Sequence, residues 1–191
     1  MKFSPAISYT LLLGGILYIC LGPELRKPER TEAEKVAHGK YLVSLGGCAD
    51  CHTPKIMTDR GLVNDESRAF AGHPEDMELP NPAQTGGPWG AATVGMTAWS
   101  GPWGISYASN LTPDPATGLW SEDVFISAMK TGKSRGIGRA ILPPMPWEAL
   151  GKASDEDLKA IYAYLKTLPP VFNQVPDPVA PVEYEVQTAG R

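Results

Sequence analysis

Apolar residues are distributed along this chain in several distinct patterns. From Ile7 to Leu21 the residues are almost wholly apolar and uncharged, with Lys2 before them and Glu24, Arg26, Lys27 and Glu29 directly after. That arrangement reads as an export leader. No A-x-A pattern follows, so a retained N-terminal anchor helix is expected over residues 1–22, with a charged, proline-bearing tether over 23–30. Cys20 reads as one more apolar residue of the leader, since Ile19 before it is not the small residue that lipid attachment calls for. A helical pattern begins at Thr31, where Thr31 and Glu34 form a capping box able to satisfy the first free amides. Val36, Gly39, Leu42 and Val43 mark one face of this helix, which should run to about Leu45 and stop at Gly46-Gly47.

From Thr53 to Trp120 the helical period disappears and prolines alternate with glycines and tryptophans. This stretch reads as long loop, and a loop of that length needs a ligand or partner to wrap. Ser121 then caps a short helix with Glu122 and Asp123 in its first turn and Gly132 at its end. Ser154 caps another, in which Leu158, Ile161, Tyr162, Leu165 and Leu168 recur at helical spacing before Pro169-Pro170. The remaining tail carries no period and should lie on the surface or against a partner.

Composition narrows the class. Gly and Pro number 20 and 19 among 191 residues, about a fifth of the chain against roughly 12% in ordinary proteins. A coiled coil or a helical bundle throughout is excluded. With 42% hydrophobic and 20% charged residues the chain is globular, and its length suits one domain over residues 31–175 with an irregular tail over 176–191. A formal net charge of −4 argues against general affinity for phosphate backbones, so no nucleic-acid partner is expected. Three cysteines are too few for a disulfide framework.

The strongest chemical signal is Cys48-Ala49-Asp50-Cys51-His52, a C-x-x-C-H motif. It reads as covalent attachment of one haem: two thiols at this spacing meet the two vinyl groups of a porphyrin edge, and the adjacent histidine falls beneath the iron. A thioredoxin-like pair would expect a preceding strand, and a zinc site would need His38 or His73 at irregular spacing. For the second axial position the candidates are Met57, Met77, Met96, Met129, Met145, His38 and His73. Met145 is preferred because Pro143, Pro144 and Pro146 frame it with rigid backbone. Met129 is read as core filling and His38 as a surface or capping group. His73, in a Gly72-His73-Pro74 setting, is the rival, and a bis-histidine site would have a lower potential than a His/Met one.

Beyond the motif, Gly39-Lys40-Tyr41-Leu42, Ser109-Asn110-Leu111-Thr112-Pro113-Asp114, Thr117-Gly118, Pro144-Met145-Pro146-Trp147 and the run from Asp155 to Val171 form a recognisable series. Over about Glu34 to Pro176 the chain resembles a monohaem bacterial class I c-type cytochrome, similar to the cytochrome domains of membrane-bound alcohol and gluconate dehydrogenase cytochrome subunits. The resemblance implies a mostly α fold, the class I cytochrome c fold of short helices and long loops around one haem c. It implies His52 and Met145 as axial ligands, Cys48 and Cys51 as thioether sites, and a crossing of the first and last helices near Gly39 with Tyr162 or Tyr164 in contact. The chain departs from those subunits in having one C-x-x-C-H where they usually have three. It also has a longer segment between Phe70 and Trp103, where Trp89, Trp99 and Trp103 are expected to cover the haem edge and loop backbone, the alternative being a docking surface.

Asn110, Thr112 and Trp120 are candidate propionate contacts, as are Arg135 and Arg139, although turn formation accounts equally for Asn110 and Thr112. The expected function is single-electron transfer on the periplasmic side of the bacterial inner membrane. Electrons would pass from a dehydrogenase or quinol-oxidising complex to an oxidase or reaction centre, with the chain a carrier and not an enzyme. The competing expectation is a haem peroxidase or gas-binding sensor with an open or displaceable sixth position.

Overall fold

In a computed structural model the described residues are 30–79 and 90–181. The expected leader and anchor, Cys20, nearly all of the tether, Trp89 and the end of the tail lie outside them. Among the described residues no helix is long and apolar enough to cross a membrane.

The capping box works as its residues dictate. Glu34 N donates to Thr31 Oγ1 while Thr31 N donates back to the Glu34 carboxylate, and α1 runs Glu32–Leu45. Gly47, at φ 62°, turns the chain so that a second short helix, α2 (Cys48–His52), starts at once. The C-x-x-C-H motif is therefore itself a helical turn, which the loss of period after Leu45 concealed.

The region read as continuous loop contains two small antiparallel sheets. Strands β1 (Lys55–Thr58) and β2 (Gly61–Asn64) form a hairpin. Strands β3 (Ala91–Ala92), β4 (Ala98–Gly101) and β5 (Gly104–Tyr107) make the second sheet, with Trp99 opposite Ser106. The fold is thus helical with strands added, a correction to the expectation of loops alone. These strands hold four residues or fewer, too short for alternation to stand out against the surrounding Gly and Pro.

Helix α3 (Glu122–Thr131) has Ser121 at its N-cap position, yet Ser121 makes no side-chain capping bond there. Gly132, left-handed at φ 67°, closes the helix with a bond to the Ala128 carbonyl. A short α4 (Trp147–Leu150) follows the proline loop, and α5 (Asp155–Leu165) is capped by Ser154 through the Asp157 amide.

Val43, Phe70, Phe125, Ala128, Met129, Leu158, Ile161 and Leu165 form the core. Met129 is core filling, as expected. Helices α1 and α5 cross at Gly39, where a Cβ would collide with the Ala160 carbonyl oxygen and come within 3.0 Å of Tyr164 Cβ. Only glycine allows the two backbones that close. His38 fastens the same crossing, its Nε2 lying 2.7 Å from Asp157 Oδ1.

The tail touches the second sheet. Val179 pairs with Ile105 on the outer edge of β5.

Candidate haem site

Helix α2 sets two thiols one turn apart, since residues three apart share a helix face. Neither cysteine is in a disulfide. Burial pushes the Cys48 thiol above its ordinary pKa, only partly opposed by a backbone N–H. Burial and the Asp50 carboxylate do the same to Cys51, against the pull of Lys55. Both groups are held as thiols at neutral pH, the reverse of the lowered pKa that marks a redox-active C-x-x-C pair.

His52 is 8% exposed, and its Nδ1 lies 2.7 Å from the Ser109 carbonyl oxygen. A carbonyl only accepts, so Nδ1 carries the proton and the Nε2 lone pair of the neutral ring is left available. Burial lowers the pKa of His52, outweighing the Ser109 bond, which keeps the ring in that neutral form. A backbone carbonyl on Nδ1 is also what orients a metal-ligating histidine.

The backbone around His52 is equally fixed. Gly72 N donates to the His52 carbonyl at 2.8 Å, and Phe70 N donates to Thr53 Oγ1 at 3.1 Å. Lys55 Nζ donates to the carbonyls of Asp50 and Thr53 at 2.9 and 2.7 Å, tying off the C-terminal end of α2. There its positive charge also suits the helix dipole.

Met145 is half-buried and packs against the core, as do Cys48 and Trp120. The other methionines are placed differently: Met57 is 72% exposed on β1, Met77 and Met96 are exposed, and Met129 is inside the core. His38 is taken by Asp157. His73 is fully buried, with Nδ1 3.0 Å from Thr97 Oγ1 and its ring 4.9 Å from that of Tyr107. Its backbone N–H bonds to the Ala108 carbonyl, one residue before the Ser109 carbonyl that holds His52. Burial lowers the His73 pKa, opposed in part by the Met77 backbone, and its buried Nε2 has no hydrogen-bond partner among the described residues. Among the described residues no three His, Cys, Asp or Glu side chains gather to hold an ion.

The propionate candidates divide. Asn110 Nδ2 donates to Thr117 Oγ1 and the Val171 carbonyl, while Oδ1 accepts from both N and Oγ1 of Thr112. Thr112 Oγ1 in turn accepts from Val171 N at 3.1 Å. Both polar atoms of the Asn110 side chain are used, so Asn110 and Thr112 secure the turn and the tail. These bonds are the turn-forming role that the sequence offered for both residues. Trp120 keeps its indole N–H without a partner among the described residues and lies under the Arg135 guanidinium, 6.0 Å from the ring centroid. Arg139 is exposed and bonded to the Ala140 carbonyl. Trp103, one of the three tryptophans without an evident role, covers the backbone at Gly101, which agrees with the packing expectation.

Several site residues gave little signal in the sequence. The Ser109 carbonyl has none, because a backbone acceptor is indifferent to side-chain identity. Asn173 is buried in the aperiodic tail, donating to the Ala71 and His73 carbonyls and accepting from Glu75 N. Only an amide among apolar and proline neighbours hinted at it.

The residues present therefore suit a covalently attached haem: free thiols, a lone pair aimed by a backbone bond, and a thioether bordering the same core. No family model matches the chain. It is 40% identical over 146 residues, 75% of its length, to a nicotinate dehydrogenase subunit of Pseudomonas putida. It is 26% identical over 187 residues, 96% of its length, to the fructose dehydrogenase cytochrome subunit of Gluconobacter japonicus. It is 33% identical over 131 residues, 68% of its length, to the gluconate 2-dehydrogenase cytochrome c subunit of Pantoea cypripedii. The chain spans 9%, 32% and 22% of these relatives' own lengths, respectively. In sequence it resembles the cytochrome c subunits of dehydrogenases.

Proposed function

We propose that this chain is an electron-transfer domain carrying one haem c, attached at Cys48 and Cys51, with His52 and Met145 as axial ligands. The observation that carries this reading is the buried His52 ring, its Nδ1 bonded to the Ser109 carbonyl at 2.7 Å and its Nε2 lone pair free. When bound, the haem supplies reversible one-electron chemistry at iron. The protein contributes the rest: Ser109 keeps His52 in one tautomer and one orientation, the prolines hold Met145, and the core excludes water from the Cys48 side. With His52 and Met145 both holding the iron, no substrate would reach the metal, and the domain would act as a carrier and not a catalyst.

The relatives' names support a dehydrogenase as the electron donor; a quinol-oxidising complex is the other source in this reading, and an oxidase or reaction centre its acceptor. The apolar leader supports export and membrane association on the periplasmic side, where this cofactor is attached.

The test is spectroscopic. Haem should stay with the denatured polypeptide of the native sequence and be lost from Cys48→Ala/Cys51→Ala. The oxidised native protein should show the weak long-wavelength sulfur-to-ferric band, and Met145→His should abolish it and lower the midpoint potential. A native protein that lacks the band and binds carbon monoxide rapidly when reduced overturns the carrier reading in favour of a gas-binding or peroxidatic site.

A further inference from the structure

The loop that carries Met145 is poor in handles. Pro143, Pro144 and Pro146 have no N–H, so the loop cannot bind itself to the body through those amides. Trp147 N makes a local turn bond to the Met145 carbonyl. Beyond it, among the described residues, one hydrogen bond reaches residues 142–145 from another part of the chain: Ser106 Oγ donates to the Pro143 carbonyl. Ser106 is buried, on β5.

The direction of that bond is imposed. Trp103 Nε1 lies 3.3 Å from Ser106 Oγ, and an indole N–H can only donate, so it fills an acceptor site on the hydroxyl. The single Ser106 proton is thereby left for the Pro143 carbonyl, two residues before Met145. The platform is fixed on both sides. Ser106 is paired with Trp99 on β4, and Ile105 beside it exchanges two backbone bonds with Val179 of the tail, at 2.9 and 3.1 Å.

We propose that Ser106, oriented by Trp103, is a positioning residue for the sixth ligand: the added sheet is a clamp on the Met145 loop that sets how readily the thioether leaves the iron. This rests on the reading of Met145 as an axial ligand. It also gives the sheet and Trp103 a task beyond covering the backbone.

The experiment is imidazole capture by the oxidised, haem-loaded protein, followed through the sulfur-to-ferric band, beside the midpoint of denaturant unfolding. Ser106→Ala should retain covalent haem and the band but bind imidazole about tenfold faster. Trp103→Phe, which removes the indole N–H, should show a smaller acceleration, and Ser106→Thr should restore the native rate. A purely structural role for Ser106 would lower the unfolding midpoint and leave the capture rate unchanged, and that result overturns the clamp. If Ser106→Ala fails to fold, Trp103→Phe decides: native capture kinetics in that variant also overturn it. Absence of the band from the native protein brings down the Met145 assignment and the clamp with it, whereas a normal band with unresponsive kinetics removes the clamp alone.

Discussion

The helical half of the domain and the sheet-and-tail half are held together by different forces. Where α1 crosses α5, contact is between apolar faces and bare backbone, with Gly39 against Ala160 and Leu158, Ile161 and Leu165 filling the space behind. In the other half, buried polar side chains do the joining. Asn110, Thr112, Thr117 and Asn173 bind loop to tail, Thr53 holds Phe70, and Ser106 holds Pro143. A packed face loses stability in proportion to the volume or overlap a mutation creates. A polar joint loses it according to how many buried groups are stranded without partners. The first kind of contact sets how firmly the domain folds, and the second sets where the loops around the haem site lie.

The largest effect is expected at the crossing. Gly39→Ala sets a methyl group against the Ala160 carbonyl, and backbone cannot rotate away as a side chain would. A loss of about 4 kcal/mol is expected, at the upper end for an overpacked core, despite the better helix propensity of alanine. Denaturant unfolding of the haem-loaded protein checks it. A variant as stable as the native protein would show that α1 and α5 can move apart, and the crossing would then be a soft contact.

Asn173→Ala tests the polar half. It strands the carbonyls of Ala71 and His73 and the amide of Glu75, three backbone groups spanned by one side chain. A loss of about 3 kcal/mol is expected, the penalty for a few buried groups left partly solvated. The contrast lies in what moves: amide exchange should rise across residues 71–75 and 171–175 while α1 and α5 keep their protection. Uniform acceleration through the helices instead would mean that the two halves share one set of joints.

The same division explains what could be read in advance. Thr31 with Glu34 and Ser154 with Asp157 announce helix starts because the partners lie three residues apart and the bonds are local. The C-x-x-C-H motif stands out for the same reason, all its parts lying within one helical turn. Asn110 and Thr112 were visible as turn formers, but their bonds to Val171 span about sixty residues, and no local pattern encodes a partner so distant. The strands were hidden because pairing such as Trp99 with Ser106 depends on the facing strand. The histidine lone pair was foreseeable in kind, whereas the carbonyl of Ser109 that orients it was not.

The smallest effect should come from the polar fastening laid across the apolar crossing. Asp157 is held below its ordinary pKa first by the hydrogen bond from His38 and then by that from Ser154. An ionised carboxylate only accepts, so His38 Nε2–H is the donor, and ionisation of Asp157 is favoured in the folded state. Its folded pKa is therefore lower than its unfolded one. The resulting stabilisation is complete above about pH 3.9, the ordinary aspartate value, and is lost as the pH falls through the lower folded value. Asp157→Asn should remove that acid-dependent part and flatten the stability profile below pH 4. At pH 7 the cost should stay under about 1 kcal/mol, because the pair is partly exposed and screened by solvent. Denaturant midpoints measured from pH 3 to pH 7 decide it. A variant with the native acid slope would assign the pH dependence to other carboxylates, while a loss as large as that of Gly39→Ala would make the polar pair, not the bare backbone contact, the principal bond between the helices.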